Sequence, residues 1–281
     1  MSAAAQLVFD GHNDVLLKLY RAGGIGQATS FVDGRSGAID LPKTKVGGFG
    51  GGFFAVFVPS PTDLDHKFQE MTKDTYDLEL PEAIDCSDAL PVVASQIAIL
   101  LELERMGALK ICRSVAEMRA VFAAGKMAAI MHMEGAEAID ADLHMLDVLH
   151  AAGLRSIGPV WSRSTIYGHG VPFRFPSSPD TGDGLSDRGL ALIKRCNVLK
   201  IMVDLSHLNE AGFWDVARHS EAPLVATHSN AHAITPHSRN LTDDQLCAIA
   251  ESDGMVGLNF AVAFLRKDGK MLADVPISQM L

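Results

Sequence analysis

The chain is poor in the features that would place it outside the ordinary soluble enzymes. It has four cysteines in 281 residues, Cys86, Cys112, Cys196 and Cys247, with no CxxC pair among them. That spacing argues against a disulfide framework and reads as free thiols of a reducing compartment. No 18-residue run is apolar throughout, so no membrane span is expected. Residues Met1 to Gln6 lack both a basic n-region and a long apolar h-region, so no signal peptide is expected either. A cytoplasmic location follows as the expectation, although a mature form stripped of its signal would look the same. Basic charge is scarce: 24 Lys and Arg against 34 Asp and Glu give a net charge of −10. Nucleic acid is therefore not expected as a partner, because binding phosphate needs a basic surface. There is no repeat of fixed period and no linker-like segment, so residues 1–281 are expected to form one domain.

Two further absences narrow the chemistry. Neither Ser206 nor Ser229 stands in a G-x-S-x-G elbow, which removes the usual sign of a serine hydrolase. The run Gly47-Gly48-Phe49-Gly50-Gly51-Gly52 precedes a strand instead of opening a helix, so it is not a phosphate loop.

What the chain does have is apolar patterning. At 48% hydrophobic residues and 21% charged ones it can bury a large core and is not disordered. Strand-length apolar runs fall near 6–11, 52–58, 127–133, 154–160, 200–206, 223–227 and 254–259. Helical patterning falls near 91–107, 114–124, 141–152, 186–198, 209–219 and 242–251. Ser186 and Asn209 or Glu210 mark helix starts, and Thr242 with Gln245 makes a capping box. Strands alternating with helices imply a parallel sheet covered by helices, an α/β fold. Seven strands are one short of a closed eight-stranded barrel, and an open barrel leaves two unpaired edges. A C-terminally incomplete chain lacking strand eight is the expectation.

The chemistry gathers at the strand ends. In Leu7-Val8-Phe9-Asp10-Gly11-His12-Asn13-Asp14, His12 and Asp14 are two apart and share a strand face. Three more candidate ligands each end an apolar run: Glu134, His207 and His228. Five such groups on four strand ends suit a two-metal hydrolase. Asp10 is placed to orient His12 by a hydrogen bond. His132 shares a strand face with Glu134 and reads equally as support for the site or as a core histidine. Glu137 reads as a solvated loop charge, and His144, His150, His219, His232 and His237 read as surface residues.

The motifs Asp10-Gly11-His12-Asn13-Asp14, Glu134-Gly135, Asp204-Leu205-Ser206-His207, His228-Ser229-Asn230-Ala231 and Arg239-Asn240 resemble the membrane (renal) dipeptidase family of the amidohydrolase superfamily. The resemblance runs from about residue 7 to residue 265. His207 precedes His228 by 21 residues, and His228 precedes Arg239 by 11, as in that family. It implies a (β/α)8 TIM-like barrel with two divalent metal ions, zinc first among them. His12 and Asp14 would bind one ion, His207 and His228 the other, and Glu134 would bridge both. The implied activity is hydrolysis of the peptide bond of dipeptides by a metal-bridging hydroxide, with Arg239 reading the substrate carboxylate. A homodimer is left open.

Two departures from the family pattern keep alternatives alive. The family's carbonyl-holding His, 27 residues after the bridging Glu, falls on Trp161. His169 is then the candidate catalytic replacement, and Trp161 an apolar wall. The family's strand-eight Asp, thought to move the proton, is not in the sequence. The alternatives are an amidohydrolase of another small carboxylated amide, such as an N-acyl amino acid, and a metal-binding pseudoenzyme without turnover. The loop from Trp161 to Gly184 reads as a lid or pocket wall or as a packed surface loop, with Tyr167, His169, Phe173 and Arg174 as candidate substrate contacts.

Overall fold

A computed structural model describes residues 7–61, 65–276 and 278. The expectations for Met1–Gln6, and for Gln279, Met280 and Leu281 at the chain end, lie outside the described residues. In chain order the elements are β1 (Val8–Asn13), α1 (Val15–Arg21), α2 (Ala28–Asp33), α3 (Leu41–Val46), β2 (Phe49–Phe57), α4 (Asp65–Glu70), β3 (Tyr76–Leu78) and α5 (Cys86–Arg105). Then come β4 (Lys110–Ile111), α6 (Val115–Ala123), β5 (Ala128–Glu134), α7 (His144–Ala152), β6 (Leu154–Gly158) and β7 (Phe173–Phe175). The last are α8 (Asp187–Leu199), β8 (Met202–Val203), α9 (Glu210–His219), β9 (Val225–Ser229), α10 (Asp243–Glu251) and β10 (Met255–Leu258).

All pairings in the main sheet are parallel, in the order β1-β2-β5-β6-β8. Short β4 flanks the start of β5. A parallel bridge from Asp204 to Val225 carries the sheet on to the β9–β10 pair. The result is a parallel-strand half-barrel of an α/β fold, with all seven anticipated strands present. No eighth strand pairs with β1 or β10 among the described residues, and the apolar side chains of Val8, Phe9, Met255 and Leu258 on those edges are exposed. The strands end on the same side because each is parallel to its neighbour, so their C-terminal residues converge.

Local chemistry sets the boundaries. Ser114, Ser186 and Asn209 cap α6, α8 and α9 by accepting the N–H three residues on. Thr242 and Gln245 form the reciprocal capping box of α10. Helix α5 starts earlier than the periodicity suggests, at Cys86, and carries Pro91 inside its second turn, where the ring removes one backbone hydrogen bond. By length and composition α5 is long and apolar enough to cross a membrane, contrary to the expectation of no such run. Its Ala89, Val93, Ile97 and Leu100 are nevertheless buried in the main core, as in a core helix. From α5, Gln96 reaches the last residue of β2, accepting from Phe57 N at 3.0 Å and donating to Phe57 O at 2.5 Å.

Of the glycine run, Gly47 and Gly48 form the turn before β2, and Gly50, Gly51 and Gly52 lie on the strand. A Cβ on Gly51 would collide with the Ala128 carbonyl of the adjacent strand, so these glycines serve close strand approach. A second, smaller core was not legible in the sequence. It joins the antiparallel β3–β7 pair to the turn at Val262–Phe264, with Met71, Tyr76, Phe175 and Phe264 buried together. Strands of three residues carry too little periodicity to be read.

Candidate metal centre

The five ligand candidates meet at the C-terminal end of the half-barrel. His12 lies on β1, Asp14 is the residue before α1, Glu134 ends β5, His207 follows β8, and His228 is on β9. Glu134 stands between the others. Its Oε1 lies 3.1 Å from His207 Nε2 and 3.3 Å from His228 Nε2, and its Oε2 lies 3.7 Å from His12 Nε2. Asp14 Oδ1 is 3.7 Å from the same His12 nitrogen. Ligand atoms of His12, Glu134 and His228 all fall within 4.8 Å of one another. Each carboxylate oxygen of Glu134 therefore faces a different imidazole set, the disposition expected of a bridging ligand.

The electrostatics favour ligation. Burial opposes the charge on Glu134, but His12, His207 and His228 hold it well below the usual carboxylate range. Burial, followed by the Arg239 guanidinium, lowers His207 to about 4. Burial, His12 and Arg239 keep His228 well below its ordinary value. Those two imidazoles are neutral near pH 7, as a metal requires. Burial also opposes charge on His12, but Glu134 and Asp14 raise it to about 9, so a metal there must displace a proton. His12 Nδ1 is a buried atom with no hydrogen-bond partner among the described residues. His207 sits at φ +69°, a conformation rare outside glycine and one that concentrates at functional sites. Three imidazoles and two carboxylates fit zinc, manganese or cobalt.

Behind the ligands lies a hydrogen-bonded layer. His228 Nδ1 is 2.8 Å from Thr227 Oγ1, which donates to Asp204 Oδ2 at 2.5 Å. Asp204 Oδ1 accepts the backbone N–H of Ser206 and of Thr227. His207 Nδ1 faces Ser162 Oγ at 2.9 Å and Arg239 Nε at 3.1 Å. His132 is fully buried, bonded to Ser156 Oγ at 2.8 Å, with Nε2 3.5 Å from Asp204 Oδ2. It is thus both core and support for the site. Asp10 does not orient His12: its carboxylate accepts the Asn13 amide at 2.9 Å.

A cavity of about 680 Å³ opens over the cluster, with Phe57, Phe68, Trp161 and Phe264 as its apolar wall. The Trp161 ring centre is 5.8 Å from that of His207, which places the departure from the family pattern beside a ligand.

Other candidate residues take different places. His169 is exposed, with its ring toward Ser164 Oγ, and does not line the cavity. Its flanking glycines explain why. Gly168 and Gly170 are bridged to Thr165 and Leu208, and a Cβ on Gly170 would collide with the Trp161 carbonyl. The backbone is pinned with residue 169 facing outward. Tyr167 is fully buried and donates to the Asp140 carbonyl at 2.8 Å, so it is a packing residue and not a substrate contact. Phe173 packs edge-on against Trp161, and Arg174 pairs with Asp77 across the β3–β7 ribbon. Arg239 is buried behind the ligands. It donates to Ser229 Oγ, the His228 carbonyl and His207 Nδ1 and is not part of the cavity wall.

Two buried groups went unrecognised in the sequence. Glu137 is not a solvated loop charge: it is buried and bonded to buried Arg163. His237 is not a surface residue: it is buried among Phe264, Tyr76 and Phe175, and Nδ1 accepts the Arg239 N–H at 3.0 Å. Only the fold brings Glu137 and Arg163 together, since 26 residues separate them.

A family model described as membrane dipeptidase, peptidase family M19, matches residues 3–276. A crystallised metallo peptidase of Rhodobacter sphaeroides, liganded with a phosphinate mimic of the dipeptide L-Ala-D-Ala, is 55% identical with a TM-score of 0.95. That match covers 98% of this chain and 79% of the other. The crystal structure of a metallo peptidase called dipeptidase AC is likewise 55% identical, with a TM-score of 0.95 over 99% of this chain and 79% of its own. An uncharacterized protein of Acinetobacter calcoaceticus, from a PQQ-III 3′ region, is 42% identical over 284 residues, covering 98% of this chain and 86% of that protein.

Proposed function

The chain belongs to the membrane dipeptidase family, peptidase family M19, and from that premise we propose that it hydrolyses dipeptides with two divalent metal ions, zinc first among them. The half-barrel is read as part of a (β/α)8 barrel. The observation that carries the proposal is the placing of Glu134, one oxygen toward His207 and His228 and the other toward His12. His12 and Asp14 would hold one ion, His207 and His228 the second, and Glu134 both. Bound there, the pair would supply an activated water and polarise a carbonyl.

The protein's own groups then do the rest. Thr227 and Ser162 fix the rings of His228 and His207. Phe57, Phe68, Trp161 and Phe264 make the cavity dry on one side and suit a small apolar side chain. Arg239 sits one layer behind, and reading a substrate carboxylate would require it to turn from His207 into the cavity. Trp161, standing where the family pattern has a His, favours one second reading, an amidohydrolase of N-acyl amino acids.

The test is a panel of free dipeptides, including L-Ala-D-Ala, against N-acyl amino acids and amidated dipeptides, each with metal-loaded protein. Preferential cleavage of free dipeptides is expected. Preference for N-acyl amino acids selects the second reading, and no turnover of any member by protein with two bound ions leaves a pseudoenzyme.

A further inference from the structure

The two halves of the metal centre are supported unequally. On one side, both imidazoles have their far nitrogens engaged. His228 Nδ1 meets Thr227 Oγ1 at 2.8 Å, and that hydroxyl is itself tied to Asp204 Oδ2 at 2.5 Å. The direct path is too long to substitute, since His228 Nδ1 is 4.0 Å from Asp204 Oδ2. Thr227 Oγ1 has its proton committed to the carboxylate, so toward His228 it can only accept. That forces the His228 proton onto Nδ1 and leaves the Nε2 lone pair turned to Glu134. Asp204 is itself fixed by the N–H groups of Ser206 and Thr227, so the relay is anchored to both β8 and β9. His207 Nδ1 meets Ser162 Oγ at 2.9 Å and accepts the Arg239 Nε–H at 3.1 Å, so this ring is fixed in place but carries its proton on Nε2, and His228 alone is held in the ligating tautomer.

On the other side, His12 Nδ1 has no hydrogen-bond partner among the described residues, and the Asp14 side chain is 44% exposed against 6% for His207 and 11% for His228. Asp10, the carboxylate near His12 in sequence, is engaged by Asn13.

We infer that the His207–His228 position binds its metal first and more tightly than the His12–Asp14 position, and that Thr227 is the positioning residue that creates the difference. This rests on the two-metal reading above. The physical reason is preorganisation. His228, held in its ligating tautomer, needs no proton rearrangement and gives up little rotational freedom when the ion arrives, and His207, fixed by Ser162 and Arg239, has only its Nε2 proton to give up, whereas His12 and half-exposed Asp14 must be ordered by the ion itself.

The experiment is titration of metal-free, full-length protein with zinc against a chromophoric chelator, with His228 observed by ¹⁵N NMR of the imidazole. Two separate steps are expected. Thr227→Val removes the hydroxyl but keeps the volume and the backbone bond to Asp204. It should weaken the first step about 10–100-fold, leave the second within about 2-fold, and allow the His228 proton to move from Nδ1. Thr227→Ser should restore both the affinity and the tautomer. Asp14→Asn should weaken the second step only. A folded Thr227→Val protein with both steps unchanged overturns the inference, as do two equivalents of one shared affinity or a first step lost in Asp14→Asn; each leaves the dipeptidase proposal standing. A total of fewer than two equivalents overturns the two-metal reading, and this inference with it.

Discussion

Arg163 donates Nε and Nη2 to one oxygen of Glu137, at 2.9 and 2.7 Å, with both side chains out of solvent. The guanidinium lies 5.6 Å from the centre of the Phe57 ring and 5.7 Å from that of Trp161. It also donates to the Val58 carbonyl and to Ser60 Oγ. The pair therefore holds the aromatic wall of the cavity in place from behind. Removing one partner strands a buried charge, the costly way to break such a pair. Arg163→Ala is expected to lower stability by about 3–5 kcal/mol, read as the denaturant midpoint. The double replacement Glu137→Gln, Arg163→Met should be milder than either single change.

Glu134→Gln removes the charge that all three imidazoles face. Bound metal should fall below one equivalent by elemental analysis, and dipeptide turnover should fall by about 100-fold or more, at least the loss seen for groups that only support ligands.

Arg239→Ala should do more than weaken substrate binding. The guanidinium braces His207 Nδ1, the His228 carbonyl and Ser229, so both metal content and KM should change. Arg239→Lys should recover little, because an ammonium cannot span three acceptors in one plane. Full metal content in Arg239→Ala would limit Arg239 to the substrate.

Trp161→Ala enlarges the cavity beside His207 and Phe57. KM for dipeptides with small side chains should rise about 10-fold, the scale of one lost apolar contact, while bulkier dipeptides improve relative to them. Parallel losses for all sizes in a steady-state panel would count against a role in side-chain selection.

His237 gives the protein an acid limit. Burial, then Arg239 and His232, lower it to about 3 from 6.5. The folded value is the lower one, so the unfolded chain takes the proton first. The stability is present above the unfolded value and is lost as pH falls from 6.5 toward about 3. At pH 4.5 the loss from this group is roughly 2–3 kcal/mol. Urea midpoints between pH 7.5 and 4.5 should decline less steeply in His237→Gln, which keeps an acceptor for the Arg239 N–H but does not titrate.

The gathering of the five candidate ligands was legible because each lies at or just past the end of an apolar run, and parallel strands deliver their ends to one place. The helix starts at Ser186, Asn209 and Thr242 were legible for the same local reason: a cap involves only the next three residues. What Arg239, His169, Tyr167 and Glu137 do was not local. Arg239 keeps its spacing from His228, yet which way its guanidinium turns depends on Ser229, His207 and the His228 carbonyl together. His169 sits near Trp161 in sequence, but the bridges at Gly168 and Gly170 turn it outward. Glu137 and His237 look like loop charges until Arg163 and the Phe264 cluster close over them. The sequence by itself determined the strand periodicity, the caps and which imidazoles and carboxylates stand at strand ends, because these follow from residue type and short spacing. Only the tertiary structure decided which polar groups are buried and what they face, because desolvation and hydrogen-bond geometry depend on partners distant in the chain.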